Sequence, residues 1–176
     1  IKIIAHELNS TRSAAGLELV DILANPIGED GFKILIELFE STPRLHSLCG
    51  VAPGTKSADF SNRGLKPIDI KIIAHELNST RSTAGERVDI SGNPISGTAV
   101  VYYSSGEVMH TKDVDADITG IESFAAVSVK ELVMANCFLG AKAITALASA
   151  LSKEGVDVVD VSGNKISGSI DKLKYG

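Results

Sequence analysis

Residues 1–16, IKIIAHELNSTRSAAG, return at residues 70–85 as IKIIAHELNSTRSTAG, with Ala14 against Thr83 as the single change. The copies open at Ile1 and Ile70, an offset of 69 residues. Near-identity at a fixed spacing restricts the chain to architectures in which one supersecondary unit recurs, so an array is considered before an enzyme.

A shorter pattern lies beneath the duplication. Val20-Asp21-Ile22-Leu23-Ala24-Asn25-Pro26-Ile27, Val88-Asp89-Ile90-Ser91-Gly92-Asn93-Pro94-Ile95 and Val159-Asp160-Val161-Ser162-Gly163-Asn164-Lys165-Ile166 align. Each carries apolar residues five and three places before an Asn and another two places after it. A fourth segment, from Val129 to Leu139, keeps the pattern with Cys137 at the Asn place, and Leu45-His46-Ser47-Leu48 is a fifth, looser copy.

These segments resemble the leucine-rich repeat consensus LxxLxLxxN/CxL, in which a short strand is followed by an Asn or Cys that bonds the backbone of the turn. Cys137 and Asn164 lie 27 residues apart, the unit length of the ribonuclease-inhibitor-like class, in which a helix follows every strand. The resemblance implies an α/β leucine-rich repeat solenoid over residues 1–176, with about five to seven strand-bearing units. Strands would line the concave side and helices the convex side.

The helices can be found without the resemblance. Ile1, Ile4, Ala5 and Leu8 fall at i, i+3, i+4 and i+7, as do Ile70, Ile73, Ala74 and Leu77. Phe32, Leu35, Ile36 and Phe39 repeat the spacing, and so do Ile144, Leu147, Ala148 and Leu151. Each set makes one apolar stripe on a helix. Asp30 is the expected cap of the Phe32 helix, and Gly155 the expected stop of the last one. The rhythm fails over residues 98–128, where two apolar runs flank Ser104-Ser105-Gly106 and predict an inserted β-hairpin. Ala116-Asp117-Ile118-Thr119-Gly120-Ile121 then echoes the strand-and-turn unit predicted at Ala58-Asp59-Phe60-Ser61-Asn62.

Strand alternation sends the residue between two core positions to the opposite face, which in such an array is the concave surface. That residue is Asp21, Asp59, Asp89, Asp117 and Asp160, with Glu18, Glu86, Glu131 and Asp157 on the same side. Strands ~4.8 Å apart bring these carboxylates close enough to repel one another unless solvent, hydroxyls or cations offset the charge. An acidic concave face suits a protein partner with a basic or neutral surface. The hairpin adds Tyr102, Tyr103, Met109 and His110, side chains enriched at interfaces, in a chain with 5% aromatic residues.

Other chemistry finds little support. A net charge of -5 argues against nucleic acid and anionic membrane surfaces. Cys49 and Cys137 form no CxxC pair, so reduced thiols are expected and no metal cluster. The loops at Gly92 and Gly163 lack the Lys of a phosphate loop, and His6-Glu7 and His75-Glu76 lack a nucleophile or a second His. No cofactor is indicated. Asn9-Ser10-Thr11 and Asn78-Ser79-Thr80 match the glycosylation pattern, which matters only on a secretory route. No signal peptide or long apolar span marks that route, so the expectation is cytoplasmic, with a segment of a longer array also in view. The expected role is a non-catalytic protein-binding scaffold. The alternatives are a spacer or assembly subunit of a larger complex, and an enzyme of the open α/β class.

Overall fold

The computed structural model describes residues 17–81, 85–151 and 156–166. In chain order its elements are helix α1 (Glu29–Ser41), strand β1 (Ser57–Asp59), helix α2 (Pro67–Leu77), strands β2 (Arg87–Asp89), β3 (Ala99–Tyr102) and β4 (Val108–Lys112), the short helix α3 (Thr119–Glu122), a 3₁₀ turn (Ser123–Ala126), β5 (Glu131–Val133), α4 (Ala141–Leu151) and β6 (Val158–Asp160). The helix stripe over residues 1–8, the Asn9 sequence and Gly155 lie outside the described residues.

Strands β1, β2, β5 and β6 pair in parallel, in that order, while β3 and β4 form a separate antiparallel pair. The parallel register aligns Ala58, Val88, Leu132 and Val159 across the sheet, and in the next row Asp59, Asp89, Val133 and Asp160. A parallel strand can be reached only by a crossover, which α2 supplies between β1 and β2 and α4 between β5 and β6. Val88, Leu132, Ile90 and Met134 are wholly buried between sheet and helices with Leu65, Ile70, Ile121 and Phe124. Ahead of β1 the chain makes a smaller pairing, with bridges Leu19 to Ser47 and Asp21 to Cys49. The fold is therefore mixed α/β, with one four-stranded parallel sheet.

The turns after β1, β2, β5 and β6, and after the Asp21 bridge, share one feature. Ala24, Asn62, Gly92, Asn136 and Gly163 all hold positive φ, between 54° and 71°. After Gly92, the fully buried Asn93 accepts at Oδ1 from Arg63 N (2.9 Å) and Leu65 N (3.0 Å) of the preceding turn. Its Nδ2 donates to Phe60 O and Ile90 O. Asn164 treats Cys137 N, Leu139 N and Met134 O in the same way. Cys137, at the Asn place, donates its thiol to Ile90 O at 3.2 Å. Each of these side chains bonds both its own turn and the one before, satisfying backbone groups that short strands leave unpaired.

Two glycines are fixed by this stacking. A Cβ on Gly92 would lie 2.2 Å from Asn62 Oδ1, and one on Gly163 would lie 2.1 Å from Asn136 Oδ1. Asn and Gly thus alternate along the positive-φ positions because each Asn side chain occupies the space that the next unit's Cβ would need.

Several details depart from the sequence reading. Helix α1 starts one residue before Asp30 with Gly28 as N-cap, so Asp30 sits inside the first turn, where its charge complements the helix dipole without capping it. Residues 116–121 form no strand, and Asp117 leads into α3. Helix α2 leaves no residue fully exposed. It packs against α1 on one side and α3 and the 3₁₀ turn on the other, and buries Ile70, Ile72, Ile73 and Ala74 together with Asp69 and Glu76.

Candidate functional site

The sheet face opposite the core carries Ser57 and Asp59, Arg87 and Asp89, Glu131 and Val133, Val158 and Asp160, as alternation requires. Its aspartates bind their own turns first. Asp59 Oδ1 accepts from Ser61 N (2.9 Å), Asp89 Oδ1 from Ser91 N (3.0 Å) and Asp160 Oδ1 from Ser162 N (2.8 Å). Those Ser61 and Ser162 bonds hold Asp59 and Asp160 below the usual carboxylate range. Partial burial pushes Asp89 up, but bonds from Ser91 and Arg87 outweigh it and leave Asp89 low as well.

Charge on this face is partly neutralised from within. Arg87 donates from Nη2 to Asp89 (2.9 Å) and from Nε to Glu131 (3.2 Å), and Lys56 pairs with Glu86 at 3.0 Å. The cation that the column needs comes from the chain, two places before Asp89 on the same strand face. The sequence reading counted the acids and passed over Arg87, whose Arg-Val-Asp spacing was the available signal.

The remaining acids stand apart from the sheet. Asp21 belongs to the pairing ahead of β1, accepting from Leu23 N (3.1 Å) and from Arg63 Nη2 (2.6 Å). Asp117 is no strand residue; its Oδ1 accepts from Thr119 N (3.0 Å) and Thr119 Oγ1 (2.6 Å), and its own N–H bonds Ser96 O. Burial raises Asp117, but the Thr119 bonds outweigh it and bring the group below its ordinary value. Glu18 and Asp157 are exposed at the starts of their segments.

The hairpin is the other candidate surface. Among the described residues, β3 and β4 pack on each other and on no other helix or strand. Tyr102 (53% exposed), Tyr103 (49%), Met109 (50%) and Val108 (40%) stay in solvent, while His110 is half-buried. The tip is a three-residue loop. Gly106 N donates to Tyr103 O, Tyr103 N donates to Glu107 O, and Gly106 takes φ 88°, the left-handed conformation that closes such a turn.

Its base, in contrast, is fixed. Thr98 Oγ1 meets Ser96 Oγ at 2.9 Å, donates to Phe138 O at 3.1 Å and accepts from Asp115 N at 3.2 Å. The Asp115 carboxylate accepts from Gly140 N (2.9 Å) and Ala143 N (3.0 Å), capping α4. Ser96, Thr98 and Asp115 are all buried. Gly97 is required beside them, because at φ 71° its missing Cβ would fall 2.8 Å from Asp117 N. An exposed arm therefore stands on a buried polar clamp.

Glu76, a charged residue next to His75, is buried. Its carboxylate accepts from Ser47 Oγ (2.7 Å), Leu48 N (2.7 Å) and Cys49 N (3.1 Å), so α2 takes up backbone groups of that strand segment. Neighbouring His75 sits 3.1 Å from Glu40. Burial, and then Glu76, push the Cys49 thiol well above its ordinary range. Burial raises Cys137 to about 11. Both thiols are free and buried, which disfavours the thiolate that a nucleophile needs.

Arg81, in the duplicated Ser-Thr-Arg motif, donates to the carbonyls of Phe39, Glu40, Thr42 and Leu45 and stacks 4.6 Å over the Phe39 ring. It caps the end of α1, which is a structural duty. Among the described residues no group of three or more His, Cys, Asp or Glu is placed to hold a metal ion, and no helix is long and apolar enough to cross a membrane. No protein-family model matches the chain, and no curated protein matches it either.

Proposed function

We propose that this chain is a non-catalytic protein-binding scaffold of the leucine-rich repeat kind, similar to the ribonuclease-inhibitor-like class, which meets its partner through the β3–β4 hairpin. The observation that carries the reading is the hairpin itself, large apolar and aromatic side chains held in solvent on a buried, fully bonded base. Tyr and Met bury large area with an adaptable or polar handle, and a fixed base lowers the entropy lost on docking. The repeat reading is supported by Asn93, Asn164 and Cys137, which bond the turns as the consensus Asn or Cys would.

The acidic sheet face takes second place as a contact. Asp59, Asp89 and Asp160 are engaged by their own turns, and Arg87 lies among them. A basic partner there would compete with Arg87 for Asp89 and Glu131. Cross-linking in native extract, followed by mass spectrometry, should join Lys112 at the end of β4 to peptides of a partner. Replacing Tyr102, Tyr103 and Met109 together by Ser should abolish those links, and unchanged links would sink the hairpin reading.

The spacer or assembly-subunit reading rests on a different place. Ile144, Leu147, Ala148, Leu151, Val159 and Val161 line an open cavity of about 310 Å³ beside β6, with Val159 38% exposed. An apolar end of this kind suits packing against a neighbouring subunit.

A further inference from the structure

We propose that the β3 edge is a self-recognition site, and that a second copy of this chain adds its own β3 antiparallel to it, making a four-stranded sheet from two hairpins. The inference rests on the reading of the hairpin as a contact surface and names the partner.

The backbone geometry supplies the first argument. Tyr103 N bonds Glu107 O across the hairpin, and β3 pairs with β4 through Val101–His110 and Tyr102–Val108, with the irregularity taken up on β4. Antiparallel alternation then turns the N–H and C=O of Ala99, Val101 and Tyr103 inward to β4, and those of Val100 and Tyr102 outward to the open edge. Four outward groups in so short a segment match their own twofold image. Val100 pairs with Tyr102 of the second copy and Tyr102 with its Val100, giving four hydrogen bonds around a closely apposed Val101–Val101 pair.

A second argument is the absence of the usual protection. Open edges are normally blunted by Pro, by charge or by a covering element. β3 reads Ala-Val-Val-Tyr, with no charge and no Pro, and no other described element covers it. The open outer strand β1 carries Asp59, and β4 carries His110 and Lys112. A two-stranded sheet that packs on no other described helix or strand is also marginal in water, so added strands stabilise it.

Charge decides for a copy over a basic protein. Residues 99–112 hold one acid, Glu107, and one base, Lys112, so with His neutral the arm has no net charge, whereas the whole chain is at -5. A neutral, apolar edge offers nothing to a cationic surface and does not repel its twin. Tyr102, 53% exposed, would lie beside Val100 of the second copy.

Sedimentation equilibrium of the full chain tests this. The expected result is a rise from 18.4 kDa toward twice that mass with increasing concentration. Val101→Lys and Val101→Glu each place like charges face to face on the twofold axis and should each remain monomeric. Their equimolar mixture should associate again. Circular dichroism of each variant checks that it is folded, and Val100→Pro, which removes one outward N–H at an edge position, should weaken association at least tenfold. A wild type that stays monomeric up to millimolar concentration overturns the proposal. So does a dimer that Val101→Lys leaves intact, since it would be formed by another face. If self-association fails while Lys112 still cross-links to a different protein in extract, the self-recognition site is wrong and the scaffold reading stands.

Discussion

The sheet-and-helix body and the β3–β4 arm use the same kinds of residue to opposite ends. In the body, polar side chains are consumed by the fold: Asn93, Asn164, Glu76 and Asp69 each take up backbone N–H groups, and the aspartates of the sheet face brace their own turns. In the arm, beyond the clamp of Ser96, Thr98 and Asp115, large side chains bond nothing in the fold and remain exposed. The contrast teaches that an acidic column can be architecture, while a less regular insertion carries the groups that nothing inside the molecule requires.

Asn93→Ala attacks the body most directly. It strands Arg63 N and Leu65 N without an acceptor and Phe60 O and Ile90 O without their amide donor, all in a buried site. At ~1–3 kcal/mol for each buried orphan, partly relieved by relaxation, the loss should reach about 3–4 kcal/mol in urea denaturation. A loss below 1 kcal/mol would show that the turns do not depend on the Asn, and the contrast with the arm would weaken.

Gly92→Ala should cost about 2–3 kcal/mol, part from a positive φ and part from overlap with Asn62 Oδ1. Asn62→Gly in the same chain removes the overlapping atom, so the double variant should recover about half of the loss. Simple additivity of the two changes would mean the side chains do not meet.

The buried thiol gives a pH test. Cys137 has its pKa raised to about 11 in the fold, against an unfolded value near 9. The unfolded chain therefore ionises first as pH rises, and the contribution of the neutral thiol, complete below pH 9, is lost between pH 9 and 11, by roughly 3 kcal/mol. Thermal melts should show a shallower decline over that range for Cys137→Ser than for the wild type.

The smallest effect belongs to the arm. Tyr102→Ser, Tyr103→Ser and Met109→Ser should each change stability by less than about 0.5 kcal/mol, because their side chains are half-exposed and β3 and β4 pack on no other described element. A loss above 1.5 kcal/mol at any of the three in denaturant titration would mean that the arm packs on the body in solution.

Periodicity made the helices at Phe32, Ile70 and Ile144 and the hairpin about Ser104-Ser105-Gly106 legible, because apolar spacing and turn chemistry are local. The strand cores around Val88, Leu132 and Val159 were legible through their alignment with one another. Less visible was anything that depended on a distant partner. Glu76 looks like a surface residue until Leu48 N and Cys49 N are brought to it, from 28 and 27 residues away. Asp117 shares its local pattern with Asp59, yet the clamp at Thr98 and Asp115 holds its segment as the entry to α3 rather than as a strand. Arg87 was readable as a charge but not as the centre of the acidic face, since its bond to Glu131 spans 44 residues. Of the surface proposed here, the side chains were named by the sequence, while their projection and the open β3 edge came from the tertiary arrangement.

The alternation of Asn62, Gly92, Asn136 and Gly163 also decides which positions can vary independently. Because each Asn side chain fills the space beside one glycine, Asn62 with Gly92 and Asn136 with Gly163 each act as a unit, and a change at one member is felt at the other.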